Sequence, residues 1–166
     1  MADKRPATPK EMLVIGLIAA GIGLFFILIG LGLVPPPGGR KGLHAPLWVV
    51  LCAGLAFLLA GVALLLHRVS GAKASDEEFP PDAPHWMRVA RYVIMLAIFA
   101  SFGAIGSWVA FGPGERAFSV SAPFFSGPAS EMIGRAAFGI GAIVVWLCTI
   151  AIAVSGARKL LGREKV

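Results

Sequence analysis

Residues Met12–Val34 read MLVIGLIAAGIGLFFILIGLGLV, 23 positions without a charge, and Pro35-Pro-Pro37-Gly-Gly39 follows at once. Crossing a hydrocarbon core of about 30 Å takes roughly 20 apolar residues in an α-helix. Inside lipid every backbone amide and carbonyl must be bonded within its own segment. The run is therefore expected as a helix over 12–34, ended by prolines that lack an amide hydrogen and clash with the preceding turn. A basic tail (Lys4, Arg5, Lys10) precedes it, as in a signal peptide. The run exceeds the usual apolar region of about 7–15 residues, however, and no small-x-small site follows it, so it reads as a retained helix.

Three more uncharged runs follow: Ala45–Leu66, Tyr92–Phe111 and Ala136–Ala157, of 22, 20 and 22 residues. Pro46 suits the first turn of a helix. Pro80, Pro81 and Pro84, then Gly112-Pro113-Gly114, then Gly127-Pro128, mark the breaks. The expected helices are 46–67, 86–111 and 131–158, joined by a linker over 68–85 and a loop over 112–130. Composition points the same way, with 57% hydrophobic and 14% charged residues and a mean hydropathy of +0.82. Soluble domains carry about 45–50% apolar and about 25% charged residues. The expectation is one all-α integral membrane domain over 1–166, four transmembrane helices in an antiparallel bundle.

Lysine and arginine set the direction. The N-terminal tail, the 68–85 linker with its flanks (Arg68, Lys73, Arg88, Arg91) and the C-terminal tail (Arg158, Lys159, Arg163, Lys165) hold eleven, and the other side holds four, Arg40, Lys41, Arg116 and Arg135. Both termini are thus expected in the cytoplasm. Trp48, Trp86, Tyr92 and Trp108 fall near helix ends, as interfacial anchors do, with Arg88 and Arg91 reaching anionic lipid on the cytoplasmic side. Trp146 lies well inside the fourth run and reads as a packing residue. The net charge of +6 follows from this orientation and does not indicate nucleic acid.

Small residues recur every seven positions: Gly16, Gly23 and Gly30; Gly54 and Gly61; Ala90, Ala97 and Ala104. Such stripes let helix backbones approach closely, which is how helices associate in a bilayer. They are expected to be helix-packing seams, and an oligomer interface is the sharper alternative. Gly103 with Ser107 fits the small-xxx-small spacing.

Candidates for chemistry are sparse. No Asp or Glu falls in any of the four runs, so a proton-coupled carrier lacks the intramembrane acid it would use. Ser101, Ser107, Thr149, Cys52 and Cys148 are the polar residues there; the hydroxyls are expected to bond their own helix backbone, and the cysteines to be buried and apolar. His67 and His85 flank the linker at helix ends, a poor position for a haem pair. No metal-ligand spacing, phosphate loop or nucleophile–histidine–acid set appears, and no cofactor is expected. The linker acids Asp76, Glu77, Glu78 and Asp82 read as a solvated segment. The 112–130 loop is the least generic part. Phe118, Val120, Phe124 and Phe125 are too apolar for a solvated loop, Phe118 to Ser121 alternates like a short strand, and Glu115, Arg116, Glu131 and Arg135 are expected to form an ion network with Arg40.

At Trp108-Val-Ala-Phe-Gly-Pro-Gly-Glu-Arg-Ala-Phe-Ser119, Ile133-Gly-Arg-Ala-Ala-Phe-Gly139 and Pro46-Leu-Trp48 the chain resembles a group of small multi-helix bacterial inner-membrane proteins of unknown function. The resemblance implies a bacterial origin and a multi-helix membrane fold, and carries no site residue. The expected function is a non-enzymatic inner-membrane protein, an accessory or scaffold subunit acting through helix packing and its periplasmic loop, with lipids and a membrane-protein partner or further copies of itself as neighbours. An oligomeric channel or small-solute carrier is the alternative, and a haem or quinone subunit the third.

Overall fold

The structure, a computed structural model, describes residues 8–39, 45–70, 84–113 and 128–160. They form four helices: α1 (Pro9–Gly30), α2 (Leu47–Val69), α3 (His85–Phe111) and α4 (Pro128–Leu160). All four are long and apolar enough to cross a membrane. The shortest, α1 with 22 residues, is about 33 Å long at about 1.5 Å per residue.

Local chemistry places the ends. Thr8 starts α1 through a capping box: its hydroxyl accepts from the Glu11 amide, and Glu11 accepts from the Thr8 amide at 2.7 Å. This satisfies two of the amides that a helix start leaves open. α1 then stops at Gly30, five residues ahead of the triple proline expected to end it. Gly32 adopts φ +75°, the Gly32 amide donates to Ile29 and the Leu33 amide to Leu28, both at 2.9 Å. This is a Schellman turn, which needs a residue at positive φ and so falls on the glycine. At the end of α2 the Ser70 hydroxyl donates to the His67 carbonyl at 2.7 Å. Pro128 opens α4, three residues ahead of the expected start; a proline is well placed there because the first amides of a helix have no partner within it.

Helix neighbours in sequence are neighbours in space. α1 packs on α2, α2 on α3 and α3 on α4, each pair antiparallel; among the described residues no other pair of helices comes into contact. The four helices are those expected, and among the described residues they are arranged as an open row, α1 and α4 making no contact. The reason lies in where the close-approach residues fall. Gly16, Gly23 and Gly30 of α1 all face α2, while Gly139, Ala142 and Gly156 of α4 all face α3. Neither outer helix turns such a seam toward the other.

Two ends result. The proximal end gathers the start of α1, the end of α2, the start of α3 and the end of α4. The distal end gathers Gly30, Leu47, Phe111 and Glu131. Little of the described chain is shielded: among the described residues Ile29, Val49, Ala56, Met87, Ile94, Ala110 and Ala142 are the buried hydrophobics, and large apolar side chains such as Leu17, Ile22, Phe102, Ile140 and Leu147 are exposed.

Candidate functional site: the helix seams and the two ends

The α1–α2 seam is built from glycine. A Cβ added to Gly16 would lie 3.2 Å from the Gly61 carbonyl oxygen, and one on Gly61 2.6 Å from the Ala20 amide nitrogen. Two turns along, Gly23 meets Gly54, and two turns further Gly30 meets the Leu51 side chain. The backbones touch where side chains would otherwise hold them apart. Ala97 and Ala104 are half-buried; their spacing from Ser101 and Trp108 puts all four on one face of α3.

The α3–α4 seam is different, because a tryptophan fills it. The Trp146 ring lies over Gly103, 2.9 Å from where a Cβ would sit. The Trp146 indole N–H donates to the Ser107 hydroxyl at 3.1 Å, and that hydroxyl donates to the Gly103 carbonyl at 2.7 Å. Reading Trp146 as a packing residue foresaw its role but not its partner. Gly103 and Ser107 one turn apart were the available signal. Ser101 and Thr149, 5% and 7% exposed, donate to the carbonyls of Ala97 and Val145 in their own helices, both at 2.8 Å.

Beside this seam the row opens into a groove of about 470 Å³, with Gly106, Gly141 and Ala142 among its lining residues and Phe102 and Phe138 flanking them. Its lining is almost wholly carbon.

At the distal end Arg135 ties α4 to α3. Its Nε donates to Glu131 at 2.9 Å, its Nη2 lies 2.9 Å from the same carboxylate oxygen, and its Nη1 donates to the Gly112 carbonyl at 3.1 Å. Gly112 follows the last residue of α3, so the guanidinium supplies a donor to a carbonyl left open at a helix end. Of the four residues expected in the outer-loop site, Glu131 and Arg135 come together. Glu115 and Arg116, together with Arg40 and the strand expected at 118–121, lie outside the described residues. Trp48 and Trp108, both expected as interfacial anchors, pair edge to face, with centroids 6.5 Å apart at 86°.

At the proximal end Trp86 and Arg88 are exposed and Arg91 is half-buried. The Tyr92 ring covers Gly156, 3.1 Å from the position of a Cβ. His67 and His85 sit in the last turn of α2 and at the first position of α3.

One expectation is overturned. Cys148 is exposed and Cys52 half-buried, where both were expected buried. α4, at the edge of the row, covers only the stripe that includes Gly139, Ala142, Thr149 and Gly156, and Cys148 lies off that stripe. Among the described residues no three His, Cys, Asp or Glu side chains converge. The chain shows no significant match to any family model, curated protein or solved structure.

Proposed function

We propose that the chain is a non-enzymatic, multi-pass protein of a bacterial inner membrane, with both termini in the cytoplasm, that serves as an accessory or scaffold subunit through its helix surfaces and its distal loop. The observation that carries this reading is the placement of polar and apolar groups on the four helices. The hydroxyls of Ser101, Ser107 and Thr149 are each bonded to a carbonyl of their own helix, while the surfaces of the edge helices are lined with large apolar side chains. Such a surface suits hydrocarbon and partner helices, and exceeds what soluble monomers expose. A channel or carrier would need a polar path through the row, and these hydroxyls are already engaged.

Co-purification from gently solubilised native membranes tests the subunit reading. A stoichiometric membrane-protein partner supports it. Recovery as a lone monomer in several mild detergents overturns it. A reporter active only in the cytoplasm, fused to the C-terminus, tests the orientation separately.

A further inference from the structure

We draw no further inference here: the strongest candidate, the apolar groove between α3 and α4 beside Gly106 and Gly141, carries none because nothing in the structure shows what covers it, and a lipid chain, a second copy of the chain and a helix of another membrane protein would each suit its carbon lining.

Discussion

Gly23 and Gly54 face each other across the α1–α2 seam so closely that a Cβ on Gly23 would lie 2.7 Å from the Gly54 carbonyl oxygen, and one on Gly54 would lie 2.8 Å from that of Gly23. Backbone, which cannot swing aside as a side chain can, occupies the space on both sides. Gly23→Ala and Gly54→Ala should each destabilise the protein by about 1–3 kcal/mol, the usual range for overpacking. Gly21 makes an internal control, since nothing lies within 4 Å of its Cβ position. Gly21→Ala should be neutral, or stabilising by up to about 1 kcal/mol through helix propensity. Thermal unfolding of the three variants in one detergent separates the two outcomes, and equal midpoints for all three would remove the seam.

Trp146 and Ser107 make a different kind of contact, a polar link between two apolar helices. Interhelical hydrogen bonds of this kind average about 0.6 kcal/mol, with a maximum near 1.7, because the unfolded helices also find partners in the membrane. Trp146→Phe and Ser107→Ala should therefore couple by about that amount in a double-mutant cycle. Trp146→Ala should cost more than that coupling, because it also removes the ring over Gly103, but less than the roughly 3–5 kcal/mol of a buried aromatic, since Trp146 is 40% exposed. Gly103→Ala should push the indole off its seat and change the tryptophan emission spectrum. A zero coupling energy with unchanged emission would show that the ring does not sit on Gly103.

Much of the four-helix architecture is legible in the sequence, though not the row, and the reasons differ from element to element. The uncharged run at 12–34 announces a helix by length alone, since few other structures satisfy so much backbone in an apolar medium. The seven-residue spacing of Gly16, Gly23 and Gly30 picks out one face of α1. Nothing in that spacing says which helix covers the face, or that α1 and α4 stay apart. The end of α1 was misjudged because proline is the louder breaker, whereas Gly32 ends the helix by taking a positive φ that the triple proline does not require. The Trp48–Trp108 and Trp146–Ser107 pairs depend on the rotation of helices about their axes. Two positions far apart in sequence carry no record of that rotation.

Arg135 holds the distal end through two partners, and the two make separable contributions. Its side chain is 29% exposed and that of Glu131 30%, so solvent screens the ion pair appreciably. Glu131→Gln should lower stability by less than about 1 kcal/mol, an effect that fades in high salt. Arg135→Ala also leaves the Gly112 carbonyl without that donor and should lower it by about 1–3 kcal/mol. Hydrogen exchange should then rise in the last turn of α3, which α4 no longer supports. Equal and salt-insensitive effects for the two substitutions would mean that the Gly112 contact carries no weight.

Cys52 and Cys148 give a chemical reading of the open row. They lie on α2 and α4, which make no contact among the described residues. Their Cα atoms therefore lie beyond the separation of about 7 Å that a disulfide can span. Oxidation with a membrane-soluble copper catalyst should therefore yield no internal crosslink. Exposure differs as well, with Cys148 on the outside of α4 and Cys52 half-buried on α2. An apolar maleimide should accordingly modify Cys148 several-fold faster than Cys52 in folded, detergent-solubilised protein, with the two rates converging once the chain is unfolded. Cys148→Ser should remove the fast phase alone. An internal disulfide would mean that α4 lies against α2, and a fast phase that survives Cys148→Ser would mean that Cys52 is the more accessible thiol.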